Sequence, residues 1–208
     1  MFAPGSGRYL LLSGAGLVLL AGGFIAGWVD RTVLAGALLV LGWGVWGFFA
    51  VFFRDPERTI GPGIVAAADG RVRAVEVEGG WTTISTFMNV HNVHVNRFPL
   101  EATVRSIDTR GSGFRAAYRD DARHNRRRHY LLDTALGEVE VVQMTGVVAR
   151  RLISLVQPGE IREKGSRLGM ILLGSRVDVR LPAHRVRVLV RVGDRVAAGT
   201  TPIAEAVG

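Results

Sequence analysis

Between Tyr9 and Val29 the chain carries no charged residue, and between Thr32 and Phe53 it again carries none. Each run is about 20 residues, the length an α-helix needs to cross a hydrocarbon layer of about 30 Å. Only Asp30 and Arg31 separate them. In one continuous helix that pair would sit at mid-bilayer, at a cost of roughly 2.5 to 3.5 kcal/mol per charge. The sequence therefore predicts a tight hairpin of two transmembrane helices, 9–29 and 32–53, with Asp30-Arg31 at the far surface. Arg8 before the first run and Arg54 and Arg58 after the second put both ends on the cytoplasmic side of the cell inner membrane. Glycines at 14, 16, 22, 23, 27, 36, 42, 44 and 47 suit close helix packing in lipid and would weaken a helix in water. The competing reading is a cleaved signal peptide over Tyr9 to Val29 followed by one anchor, but the first run is long for a signal core and the second follows at once.

From Arg54 onward the pattern changes to strands. Val72 to Glu78, Thr82 to Phe87, Ala102 to Ile107, Tyr130 to Asp133, Val139 to Met144, Val177 to Leu181 and Val186 to Val192 alternate or carry β-branched runs, bounded by Gly, Pro or Asp. Val147 to Val156 reads as a short helix, with Arg150 and Arg151 opposite Val148, Leu152 and Leu155. The expected fold is a mainly β domain over 54–208 with barrel-sandwich-like hairpins, preceded by the helical hairpin over 1–53. Gly159 and Gly165 in QPGEIREKG share their spacing with Gly193 and Gly199 in RVGDRVAAG. That quasi-repeat resembles the paired hairpins of biotinyl and lipoyl carrier domains, and raises the alternative of a membrane-tethered carrier or adaptor. A carrier needs a lysine at a protruding turn; the sole lysine, Lys164, lies just before Gly165 and not between hairpin strands.

The 208 residues carry a formal net charge of +8 and no cysteine, which excludes disulfides and thiolate metal sites; no metal is expected. Basic residues are densest in FRAAYRDDARHNRRRHY, Phe114 to Tyr130. Asp120 and Asp121 interrupt the run, and anionic headgroups would be the nearer partner of a membrane-anchored chain, each basic residue contributing roughly 1 kcal/mol near the surface. Lipid contact and a solvated loop both fit this segment. Nucleic acid is not an expected partner.

Chemistry points to Gly174-Ser175, inside LLGSRVDVRLP. A serine hydroxyl beside a glycine carbonyl can attack it and turn the amide into an ester; β-elimination then leaves a dehydroalanine that hydrolyses to a pyruvoyl group. Bare Gly-Ser pairs are ordinarily turns. Here GMILL precedes the pair, and Arg176 to Leu181 alternates with the period of a half-buried strand.

The segment GEIREKGSRLGMILLGSRVDVRLP resembles the end of the short bacterial and archaeal phosphatidylserine decarboxylase proenzymes, which are pyruvoyl-dependent. FFRDPERTIGPGIVAAADGRV from Phe52, STFMNVHNVHVNRFPL from Ser85 and VVQMTGVVARRL from Val141 agree with that family in order. The resemblance implies self-cleavage between Gly174 and Ser175, giving a long β chain and a short α chain, with a pyruvoyl cofactor derived from Ser175. That group would form a Schiff base with the serine headgroup of a phospholipid substrate, whose decarboxylation gives phosphatidylethanolamine. It further implies His94 as acid-base residue and Asp69 as the carboxylate that orients it in a Ser-His-Asp relay. The chain departs from the pattern in two places. Arg97 stands where longer relatives place a second histidine. His91 lies three before His94 where the short family has an apolar residue, and Asn89-Val90 replace a Ser-Pro pair. Which histidine serves cleavage and which serves decarboxylation is left open, as is an archaetidylserine-type substrate with the same headgroup. Assembly into a homo-oligomer is compatible with the sequence.

Overall fold

The computed structural model describes residues 2–3, 6–25, 32–113, 125–146, 151–172 and 175–207. They fall into two compact units, Met1–Pro56 and Glu57–Gly208. The first holds helices α1 (Gly7–Ile25) and α2 (Thr32–Phe52), which pack on each other. The Tyr9 ring stacks on Phe49 and Phe53 at centroid distances of 6.4 and 5.4 Å. Helix α1 is described as far as Ile25, and the rest of the expected 9–29 span, with Asp30-Arg31, lies outside the described residues. Among the described residues no helix is long and apolar enough to cross a membrane.

The second unit is mainly β, as expected. Its strands run β1 (Ile64–Val65), β2 (Gly70–Glu78), β3 (Trp81–Met88), β4 (Val95–Arg97), β5 (Ala102–Arg110), β6 (Arg127–Thr134), β7 (Gly137–Thr145), β8 (Leu152–Ser154), β9 (Ile161–Arg162), β10 (Arg167–Ile171), β11 (Ser175–Pro182), β12 (Val186–Val188), β13 (Arg195–Val196) and β14 (Pro202–Ala206). They form an antiparallel sheet in the order β13-β2-β3-β11-β7-β6-β5-β9 and two small sheets, β4-β10-β8 and β1-β14-β12. Gly79 and Gly80, with φ of 58° and 80°, close the two-residue β2–β3 hairpin, a turn that needs positive φ at both positions. One core draws on all three sheets, with Ile64, Val72, Ile84, Leu132, Leu168, Val179 and Ile203 buried together.

This arrangement is an internal duplication. One half is continuous, β4 to β10; the other is interrupted, β1 to β3 resumed by β11 to β14. In the large sheet they meet where β11 lies against β7. A shift of 32 residues takes the bulge at Val72/Ala74 in β2 to the bulge at Val104/Ser106 in β5. Gly193 N donates to Val72 O at 2.9 Å, and at the matching place Gly159 N donates to Val104 O at 2.7 Å. Likewise Gly199 N bonds Ala66 O and Gly165 N bonds Phe98 O, each at 2.9 Å. The glycine quasi-repeat thus marks equivalent turns, all four glycines having φ between 75° and 99°.

Two expectations are corrected. The helix over Val147–Val156 is absent in its described part: Leu152–Ser154 is a strand, paired with Gly169–Ile171, and that ladder satisfies the backbone while burying Leu152. Residues 147–150 lie outside the described residues. Val186 to Val192 narrows to Val186–Val188, which pair with β14; past them Leu189 N bonds Ile203 O at 2.9 Å and the ladder ends. The basic segment lies outside the described residues over 114–124, and β6 begins at Arg127, three residues before the strand expected from Tyr130.

Candidate active site

Ser175 opens β11, fully buried, between Met88, the last residue of β3, and Thr145, the last of β7. Alternation turns Ser175 to the same face as Val177, Val179 and Leu181, which join the core. Its hydroxyl has no hydrogen-bond partner among the described residues. Leaving a buried hydroxyl unpaired costs about 1–3 kcal/mol, so stability does not account for a serine here. Gly174 lies outside the described residues.

The residues expected to act with Ser175 gather at the same end of the sheet. The chain leaves the interrupted half after Met88 and re-enters it at Ser175. His91 and His94 lie on the outgoing crossover, and Gly174-Ser175 ends the returning one. The two crossovers are held side by side, for Ile171 N donates to His94 O at 3.3 Å. His94 is buried, and its Nδ1 lies 2.9 Å from Asn92 O. A carbonyl only accepts, so Nδ1 carries the proton and Nε2 is the basic nitrogen of the neutral ring. His91 is exposed and lines a cleft of about 410 Å³ with Gly70, Arg71, Asn89, Asn92, Arg195 and Val196.

Asp69 precedes Gly70, where a Cβ would come within 2.1 Å of Phe87 O, so only glycine lets β2 start this close to β3. Val65 N bonds Pro99 O, and Arg97 N bonds Ala67 O, each at 2.9 Å. Beyond Ala67 the chain bends through Asp69 before β2 begins at Gly70, which pairs with Val196. The carboxylate itself is engaged elsewhere: Arg58 Nη2 donates to both oxygens at 3.0 and 2.8 Å, and Ala198 N to Oδ1 at 2.8 Å. The structure brings Asp69, His94 and Ser175 to one end of the sheet without joining them by hydrogen bonds among the described residues. Arg97 is buried and donates from Nη1 to Gly165 O at 2.9 Å, a strut between β4 and the turn before β10.

Sequence reasoning missed a chain of neutral polar groups on the serine's own face of the sheet. Tyr130 OH donates to Gln143 Oε1 at 3.1 Å, Gln143 Nε2 to Asn96 Oδ1 at 2.7 Å, and Asn96 Nδ2 contacts Met88 Sδ at 3.6 Å, the residue paired with Ser175. Burial pushes the Tyr130 phenol above its ordinary value. The signal was present: period two places Gln143 on the inward face with Val139 and Val141. The other face carries charge. Arg176 grips Asp178 at 2.6 and 2.9 Å, and Glu140 takes hydrogen bonds from His129 and Arg180. Burial would raise the Glu140 carboxyl, but its two partners outweigh burial and hold it below 4.5.

A family profile described as phosphatidylserine decarboxylase matches residues 46–204. The chain belongs to this family. It is 44% identical over 154 residues to a phosphatidylserine decarboxylase proenzyme of Streptomyces avermitilis, an alignment covering 73% of this chain and 71% of the relative. With the proenzyme of Thermobifida fusca the identity is 40% over 203 residues, 96% of this chain and 90% of the relative. A relative from Methanosarcina barkeri, whose name gives archaetidylserine in place of phosphatidylserine, is 40% identical over 160 residues, 76% of each chain. The protein is accordingly an enzyme, a decarboxylase of a proenzyme family. Lys164, the attachment residue of the carrier alternative, lies in a turn joining strands of different sheets and not in a hairpin, with Nζ donating to Gly63 O at 3.2 Å.

Proposed function

We propose that this chain is the precursor of a pyruvoyl-dependent phosphatidylserine decarboxylase, activated by cutting itself between Gly174 and Ser175. The observation that carries this reading is the buried, unpartnered Ser175 hydroxyl at the start of a strand. It fits a residue kept as a nucleophile and then converted. Ser175 Oγ attacks the Gly174 carbonyl carbon, the C–N bond breaks, and the nitrogen takes up a proton. Loss of the Ser175 Cα proton then expels the Gly174 carboxylate, and water replaces the nitrogen as ammonia. The group so formed supplies a ketone that takes the amine of the substrate and accepts the electron pair left by departing carbon dioxide.

The surrounding residues have separate tasks. His94 Nε2, basic because Asn92 O fixes the proton on Nδ1, removes the Ser175 hydroxyl proton. Asp69, at the same end of the sheet, sets the field around that ring. His91, on the exposed side of the same crossover, is placed to return a proton to the substrate carbon after carbon dioxide leaves. Cutting does not release the new α chain, because β11 stays between β3 and β7, β13 stays on β2 and β14 on β1.

The substrate is a phospholipid, and we place the enzyme at the cell inner membrane with the β unit on the cytoplasmic side. Support comes from the helical pair, which carries no charge beyond Arg8 in the first turn of α1 and whose Leu11, Leu12, Val18, Leu19, Val40 and Leu41 are exposed, and from Arg54 and Arg58 after it. A reporter fused after Gly208 is expected to be active in the cytoplasm; periplasmic alkaline phosphatase activity from that fusion would overturn the placement. Archaetidylserine shares the headgroup and would meet the same chemistry. The function is tested with purified protein and phosphatidylserine labelled at the serine carboxyl. Labelled carbon dioxide and phosphatidylethanolamine should appear in equal amounts, and their absence from matured protein would overturn the reading.

A further inference from the structure

The duplicated fold builds the same cleft twice, with different charged linings. Where β13 meets the start of β2, Arg195 stands directly opposite Arg71. The equivalent pair, where β9 meets β5, is Ile161 opposite Thr103. Like charges facing across strands destabilise a sheet, and the Ile161–Thr103 pair demonstrates that the fold has no need of charge at this place. The cleft at Thr103, about 230 Å³, is lined by Glu101 and Asp133. The one at Arg71 has no acidic residue in its described lining, and adds the side chains of Asn89, His91 and Asn92. Arg71 Nη1 donates to Gly193 O at 2.8 Å, while Arg195 makes no hydrogen bond or ion pair among the described residues. Its donors are open to a ligand.

The basic cleft adjoins the chemistry. Arg71, Phe87 and Arg176 form one row across three strands, which sets Arg71 about 10 Å from the residue after Ser175. Ser175 begins β11, Gly70 begins β2 and Met88 ends β3. Arg71 is on the face opposite Ser175, so a ligand joining the two passes over this end of the strands. In a serine phosphodiester the amine and the phosphate sit on adjacent carbons, so a headgroup whose amine is at residue 175 holds its anion a short way off.

We propose that Arg71 and Arg195 bind the phosphodiester of the lipid headgroup and thereby select a lipid over free serine; this rests on the decarboxylase reading above. The test uses R71Q/R195Q in neutral detergent micelles carrying phosphatidylserine. The variant is expected to be cleaved as completely as the wild type and to show KM raised about tenfold or more, with kcat affected less. Glycerophosphoserine, the deacylated headgroup, should compete against the wild type and lose potency by a similar factor in the variant. R71K/R195K, which keeps the charge but not the fork, should recover part of the loss. Unchanged KM and unchanged inhibition in R71Q/R195Q would overturn the proposal while carbon dioxide release continued; a matured wild type releasing none would instead overturn the decarboxylase reading. Inorganic phosphate competing as strongly as glycerophosphoserine would mark a free-phosphate site and overturn it. So would weaker binding to phosphatidylglycerol vesicles with unaltered inhibition, the mark of a general anionic-surface patch. Should the double variant fail to mature, Arg195→Gln alone, which removes no hydrogen bond among the described residues, carries the same comparison.

Discussion

The continuous half of the duplication joins β6 to β7 with the two residues Ala135 and Leu136, Thr134 pairing with Gly137. The interrupted half pairs Met88 with Ser175 in the same way, but spends residues 89–174 between them. Gly137 and Ser175 are thus equivalent positions, one completing a hairpin and the other ending a long detour. Every residue assigned to proton transfer or cleavage, Asp69 apart, lies on the two crossovers created by that detour. A tight turn must keep its backbone bonds to close a hairpin. A crossover that only returns the chain to a sheet can be cut without loss of strand pairing.

The largest effect expected from breaking this comparison is that of Ser175→Ala. Alanine has no nucleophile and cannot become a ketone, so both cleavage and carbon dioxide release should vanish, while an intact, folded precursor accumulates. A cleaved or active Ser175→Ala protein would contradict the assignment. Next, His94→Ala should slow cleavage by about 10² to 10⁴, the range typical of a general acid-base group, measured as the time course of the intact band on a gel. Cleavage at the wild-type rate would leave His94 a core residue. Gln143→Leu acts on the shared interior rather than on the crossovers. It removes the Gln143 amide from Tyr130 and leaves Asn96 Oδ1 without its donor, and an orphaned buried group costs about 1–3 kcal/mol, read as a lowered denaturation midpoint of the Ser175→Ala precursor. The smallest effect belongs to the charged face. Glu140→Gln should alter stability at neutral pH by no more than about 1 kcal/mol, since Arg180 is 39% exposed. Because the Glu140 carboxyl is held below 4.5 in the folded protein, its contribution is present above pH 4.5 and lost as pH falls through the lower folded value. The variant should therefore show a shallower loss of stability in acid than its parent.

Much of the β unit was legible because its strands alternate: Thr82 to Phe87 and Val177 to Leu181 lie within β3 and β11, each slightly longer than expected. The two- and three-residue strands were not legible, since Ile64–Val65, Val95–Arg97 and Arg195–Val196 are too short to carry a period and exist only through their partners. Leu152–Ser154 went to a strand against its helical spacing because β10 offered it a ladder. The glycine quasi-repeat was visible as architecture, but not the nesting of one half within the other, which rests on pairings between residues distant in sequence. At the site, Ser175 was legible from its motif. Asn96 and Tyr130 were not, because a single polar residue in an apolar run does not reveal its partner on another strand. The motif's own charges, Arg176, Asp178 and Arg180, are read differently with the structure in hand: they pair on the opposite face from the serine, holding the sheet together rather than acting on the hydroxyl.

The central claim, that the detour ends in a bond the chain cuts and converts, is tested most directly by a mass spectrum of the purified, denatured protein. The account predicts two chains. The smaller, residues 175–208, is 34 of the 208 residues of a 22.5 kDa chain, or about 3.7 kDa, and should be lighter by one ammonia than the same peptide beginning with serine. A single intact 22.5 kDa chain that nevertheless releases carbon dioxide from phosphatidylserine would contradict it.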